Sequence, residues 1–129
     1  MKTNYKLALA VLAGATTGVG GATMIHAQQV KAPPAYLIAE LDVTDATTFQ
    51  RYQESVAATL AAFNGHYLVR RGKIEPLEGD APKRFIVVAF DSAEKARNWW
   101  DSPAYAAIKP IRLSSAKTRA FFVEGIAPQ

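Results

Sequence analysis

From Tyr36 to Val43 the chain alternates. Leu37, Ala39, Leu41 and Val43 fall on one side, and Tyr36, Ile38, Glu40 and Asp42 on the other. A period of two is that of a β-strand. Phe49, Tyr52, Val56, Leu60 and Phe63 then recur at steps of three and four, which sets them on one stripe of a helix with Arg51, Gln53 and Glu54 off it. Thr44 or Asp45 is placed to cap that helix. Asn64-Gly65 is placed to end it, with Gly65 suited to a left-handed position. His66 to Arg71 reads as a short second strand and Gly72 as a turn or bulge. Lys73 to Lys83 holds Pro76, Gly79, Asp80 and Pro82, the composition of a hairpin-like excursion at a sheet edge. Arg84 to Phe90 is the most continuously apolar stretch and predicts a central strand. Asp91 and Glu94 stand at capping-box spacing and open a second helix that runs through Trp100. Ser102-Pro103 opens a further helical piece, which Pro110 is expected to kink or break. Thr118 to Glu124 is the last strand.

The element order is β-α-β-β-α-β, with the second helix in two pieces. Right-handed crossovers turn that order into an α+β, ferredoxin-like sandwich, a four-stranded antiparallel sheet with its helices on one face. The other face still carries Ile38 and one alternating set from Phe85/Val87 or Ile86/Val88. An apolar sheet face is not left bare in water. A second copy of the chain is the simplest cover, so a homodimer is expected.

The first 27 residues do not fit this domain. Lys2 and Lys6 precede the apolar run Leu7 to Ala13, and small residues then lead to Ile25-His26-Ala27. This is the pattern of a secretory signal peptide, with cleavage expected after Ala27 and a cut after Ala22 as the alternative. A retained membrane anchor is the competing reading, because Leu7 to Ile25 carries no charge. Its second half is rich in Gly, Ala and Thr, however, and a poor helix former. The expected organisation is residues 1–27 as a cleaved signal, 28–34 as a flexible lead-in, 35–125 as the domain and 126–129 as a tail. The product would be exported, periplasmic or secreted, with no membrane attachment after cleavage.

Export also changes the charge. Losing Lys2 and Lys6 takes the 15 Lys/Arg down to 13 against 11 Asp/Glu, a net of +2. That near balance, with export, argues against nucleic acid. The chain has no cysteine, so no disulfide can support a domain of this size and the core alone must hold it. No nucleophile elbow, phosphate loop or calcium loop is present.

Five segments resemble one family: Pro34 to Glu40, Tyr67 to Gly72, Leu77-Glu78-Gly79-Asp80, Ser102-Pro103-Ala104-Tyr105, and Arg119 to Gly125. Together they are similar to the bacterial domain-of-unknown-function family numbered 1330, from about Ala35 to Gly125. Arg71 departs from it where a glycine is common. The resemblance implies the dimeric α/β-barrel superfamily, in which two ferredoxin-like sheets face each other around a shared interior. That superfamily includes cofactor-independent oxygenases, haem-degrading monooxygenases, small isomerases and proteins without known chemistry. Family 1330 has no settled activity, so no catalytic residue carries over.

The residues themselves offer a short set of candidates. His66, the one histidine after Ala27, is a candidate general base; the plain alternative is an exposed strand-end side chain. A lone histidine without cysteine makes a zinc site unexpected. Haem-degrading relatives depend on a helix-borne histidine that this chain lacks. No cofactor or metal is therefore expected. Arg70 and Arg71 must point to opposite faces. A buried Arg70 would need a carboxylate or an anionic ligand, and Glu40, on the face of Tyr36, is a candidate partner. Glu40, Arg70 and His66 could thus line a pocket; a structural ion pair is the alternative. Trp99 and Trp100 cannot both face the core, so Trp100 is a candidate wall of a pocket mouth. Arg112, Lys117 and Arg119 read as a solvated basic face. Two functions stay open: a cofactor-free enzyme or binder of a small apolar molecule with an acidic or phenolic group, or a non-catalytic module of the cell envelope.

Overall fold

In a computed structural model, the structure of the protein is described for residues 31–129. The signal-peptide reading of residues 1–27 lies outside the described residues. The elements are β1 (Ala35–Val43), α1 (Ala46–Ala61), β2 (His66–Val69), β3 (Arg84–Phe90), α2 (Ala93–Trp100), α3 (Pro103–Ser115) and β4 (Ala116–Glu124).

The four strands form one antiparallel sheet in the order β2-β3-β1-β4, so the two most apolar strands are central. The alternation of β1 decides which layer each side chain joins. Leu37, Ala39 and Leu41 are buried toward the helices, while Tyr36, Ile38 and Glu40 are half-buried on the opposite face. The register carries this split across the sheet. Val87 and Phe121 lie opposite Ile38, and Val88 and Phe122 lie opposite Leu37. The open face therefore takes Phe85 and Val87, and the helix side takes Ile86 and Val88.

Asp45 caps α1, its carboxylate accepting from the Thr48 amide at 3.1 Å and the Thr48 hydroxyl at 2.7 Å. These bonds hold the Asp45 carboxyl below its ordinary value. The stripe of Phe49, Tyr52, Val56 and Leu60 is buried as its spacing predicts. Two end signals resolve differently from expectation. The left-handed residue after α1 is Asn64, at φ 56°. Gly65 is needed instead for close approach, because a Cβ there would stand 2.7 Å from the Phe90 ring. The cap of α2 is Ser92, whose hydroxyl accepts from the Lys95 amide at 3.2 Å. Asp91 is drawn sideways to Asn64 Nδ2 at 2.8 Å and Lys95 Nζ at 3.3 Å.

Ser102 and Pro103 open α3 as expected, the Ser102 hydroxyl accepting from the Tyr105 amide and donating to the Trp99 carbonyl. Pro110 does not end this helix, which runs on to Ser115. Its exposed position leaves the carbonyl it deprives of a partner within reach of water. No helix among the described residues is long and apolar enough to cross a membrane.

The core closes on Trp99, 1% exposed. Its ring lies 5.6 Å from Phe90 and 4.2 Å from Tyr105, and its Nε1 donates to Thr59 Oγ1 at 3.0 Å. Replacing Trp99 with Ala should cost about 3–5 kcal/mol of stability, and Ser102→Ala about 1 kcal/mol through loss of the cap. Urea unfolding followed by circular dichroism measures both. Equal, small losses would contradict the central place given to the indole.

Candidate functional site

Between the helix side of the sheet and α1, α2 and α3 lies a narrow cleft with a cavity of about 40 Å³. Its walls are the inward residues of β1 and β3, with Val56 and Leu60 from α1. Its polar groups gather on a few positions: Tyr52, Tyr67, Tyr105, Arg112 and Thr118, beside the ring of Trp100.

Arg112 dominates this set. It is only 6% exposed, and among the described residues no carboxylate lies within ion-pair distance of it. Its Nε donates to the Tyr105 hydroxyl at 3.2 Å, and that hydroxyl lies 3.4 Å from the Tyr52 hydroxyl. Tyr105 can thus accept from the cation and pass its own hydrogen to Tyr52. The guanidinium also lies 5.9 Å from the Trp100 ring centroid. An unmet group faces the same cleft: Thr118 Oγ1 is buried without a hydrogen-bond partner. Buried cations and hydroxyls normally find partners. Here both are found along a cavity that could admit one.

The electrostatics fix what the tyrosines can do. Burial raises the Tyr52 hydroxyl far above its ordinary 10.0, and the neighbouring Tyr105 hydroxyl pushes the same way. Burial likewise raises Tyr67, against the lowering effect of Arg70. Both stay protonated at neutral pH and serve as donors. Among the described residues, no Asp, Glu or His lines the cleft. The arrangement can hold and stabilise an anionic oxygen, but it holds no side chain suited to take a proton.

The residues singled out from sequence are distributed differently. Trp100 is half-buried and lines the cleft. Glu40 pairs with Arg119 at 3.3 Å on the open face rather than with Arg70. Arg70 stacks over the Tyr67 ring at 4.7 Å, on the helix side. His66 is exposed and stands opposite Ala89, which in turn stands opposite Tyr36. That puts His66 and Tyr36 on the open face, four residues and about 13 Å along the strands from Glu40. Asn64 and Lys95 hold the Asp91 carboxyl below its ordinary value, and nearby His66 adds slightly to this. The trio of Glu40, Arg70 and His66 does not converge. Arg112 is the residue the sequence reading misplaced, since it is buried rather than part of a solvated basic face. The signal was its spacing from Tyr105 and Ile108, seven and four residues before it along the inner stripe of α3. Among the described residues, no group of His, Cys, Asp and Glu is arranged to hold a metal.

Comparison with known proteins agrees on the fold. The model of a family described as a domain of unknown function (DUF1330) matches residues 34–126. A protein of unknown function from Rhodopseudomonas palustris is 10% identical, with 84% of this chain and 94% of that one covered at a TM-score of 0.61. The cofactor-independent oxygenase SnoaB from Streptomyces nogalater is 15% identical, covering 76% and 96% at 0.51. A protein from Bacteroides fragilis, described as dimeric and of ferredoxin-like fold, is 12% identical, covering 74% and 99% at 0.51. No curated protein matches significantly in sequence. At these identities the shared feature is the fold, and the sandwich expected from the strand order is the one these structures have.

The raised tyrosines make a prediction about alkaline stability. In the unfolded chain Tyr52 ionises near 10.0, whereas in the fold it holds its proton to higher pH. Stability is therefore intact below pH 10.0 and falls as the pH rises beyond it. Tyr52→Phe should flatten that alkaline decline while costing about 1 kcal/mol at neutral pH for the lost hydroxyl contact. Urea unfolding at a series of pH values measures both. An unchanged alkaline limb would contradict the burial of this hydroxyl.

Proposed function

Since the chain belongs to the DUF1330 family, a membership that carries a fold but no reaction, we propose that it works through the arginine–tyrosine cleft as a binding site for a small molecule bearing an ionised acidic group on an apolar body. The observation that carries this reading is Arg112, a buried cation without a carboxylate beside an apolar cavity. Arg112 and the Tyr52 hydroxyl would hold the anionic head, with Tyr105 relaying the hydrogen bond between them, Thr118 would supply one more hydrogen bond, and the apolar walls would take the body. This is the usual composition of a small-molecule site.

Size and chemistry narrow the ligand. About 40 Å³ admits roughly three waters, so a short carboxylate fits the cleft as it stands. A ring would require the half-buried Trp100 to swing outward. The absence of an acid–base group from the lining favours binding and sequestration over turnover. An enzymatic reading is favoured by one feature, the fixed cation and tyrosine donors around one point. It would require a substrate that arrives ionised or loses its proton to something other than the cleft.

The test is a fluorescence titration, read through Trp99 and Trp100, with acetate, butyrate and benzoate against the neutral amide of each. Carboxylates should bind and amides should not. Arg112→Gln should weaken carboxylate binding about tenfold or more. Equal binding of acid and amide, or an Arg112→Gln protein that binds as well as the parent, would remove the proposal.

The same reading includes assembly and location. The open face exposes Phe121 at 43% and Val123 at 45% beside half-buried Ile38, Phe85 and Val87. We propose that a second copy covers it, in keeping with the dimeric protein of the same fold. Sedimentation should give a dimer at micromolar concentration, and Phe121→Glu a folded monomer. A monomeric parent would end this part. Export is proposed from the pattern of residues 1–27. N-terminal sequencing of the protein from its own host checks it, and a chain that still begins at Met1 would refute it.

A further inference from the structure

A second groove, of about 410 Å³, opens where the ends of β2 and β3 meet the start of α1. β2 ends at Val69, short of the expected Arg71, so strand alternation does not part Arg70 from Arg71, and both line the groove together with Arg84 at the head of β3. Gln50, Gln53 and Glu54 of α1 face them. None of the three arginines has a carboxylate within ion-pair distance among the described residues. Elsewhere cations do find acids, as Lys83 with Asp42, Lys95 with Asp91 and Arg119 with Glu40. The one carboxylate of this groove, Glu54, accepts instead from Gln50 Nε2 at 3.2 Å.

Two of the guanidiniums are held in place by aromatic rings. Arg84 lies 5.0 Å from the centroid of Phe49, and Arg70 lies 4.7 Å from that of Tyr67. Stacking of this kind occupies the flat face of a guanidinium and leaves its N–H edge for hydrogen bonding. Gathering three like charges into one groove is unfavourable in itself. Less entropy is lost on binding when the forks are already oriented.

We infer that this groove is a second binding site, distinct from the cleft, for a dianionic oxyanion such as a phosphate monoester. Three guanidiniums against one carboxylate leave a local charge of +2, which matches such a group. Its tetrahedral oxygens can accept from forks that arrive from different strand ends. The facing amides of Gln50 and Gln53 are positioned to bond the ester side of the ligand. The proposal does not depend on the function assigned to the cleft.

Calorimetric titration with phenyl phosphate and phenyl sulfate at pH 7.5 and equal ionic strength tests the inference. The two probes share a shape and differ by one charge. Phenyl phosphate should bind about tenfold more tightly than phenyl sulfate, and Arg71→Gln/Arg84→Gln should weaken phosphate binding about tenfold or more. Arg71→Gln alone, at an exposed side chain that stacks on no ring, gives the same direction if the double variant does not fold. Arg112→Gln and Arg97→Gln should leave phosphate binding within about twofold of the parent. Equal binding of the two probes would overturn the inference. So would undiminished phosphate binding by the folded arginine variants, or a loss at Arg97→Gln as large as theirs.

Discussion

Strand β3 and helices α1 and α3 meet at the indole of Trp99. Its ring touches Phe90 of β3 and Tyr105 of α3, and its one polar atom is tied to Thr59 of α1. A large aromatic ring packed against two others and bonded through its N–H has little freedom to shift. The consequence reaches the cleft. Tyr105 is held by that ring and by the Ser102 cap, and Tyr105 in turn receives the Arg112 hydrogen bond. The position of the buried cation is therefore set by packing several residues away from it.

The sheet assigns different work to its two faces. The helix side buries β1 and β3 against the aromatic cluster and holds the cleft. The open face retains apolar side chains and, among the described residues, carries the ion pairs of Glu40 with Arg119 and Asp42 with Lys83; the first of these bears on the site. That pair is half-exposed and worth little on its own. Its position matters more than its energy, because the alternation of β1 that forms it commits Glu40 to the open face and leaves the arginines of the helix side without that carboxylate. Arg70 and Arg112 consequently remain cations that the fold itself does not neutralise.

Much of the fold could be read from the chain. The two-residue period of Leu37, Ala39 and Leu41 and the helical stripe of Phe49, Tyr52, Val56 and Leu60 report burial directly, and burial is what those patterns encode. The helix ends were harder. Asp91 and Ser92 are both good caps, and only the tertiary bond from Asn64 decides that Asp91 turns away. Gly65 looked like a left-handed terminator, but its requirement comes from the Phe90 ring, a contact no local pattern contains. Of the two indoles, the half-burial of Trp100 beside a buried Trp99 was legible, because neighbours on a helix cannot both face the core. Arg112 was not, because arginine near lysine and arginine reads as surface. Its burial follows from a helical phase shared with Tyr105, and hydrophobic periodicity does not count a cation as part of the stripe.

The chemistry of the cleft follows from what its lining omits as much as from what it holds. A site that removes a proton needs a group whose affinity for it is matched to neutral pH. Here burial drives Tyr52 and Tyr67 the other way, toward permanent protonation, and the one histidine after Ala27 stands exposed on the opposite face. A cation fixed in an apolar cavity beside protonated hydroxyls has high affinity for negative charge already formed, and little means of forming it. The same low polarity that makes Arg112 expensive to bury alone strengthens its attraction to an anion that joins it. Recognition of an ionised head by a preset cation is therefore the property this arrangement supports most directly, and any reaction would have to take its proton acceptor from the substrate or from solvent.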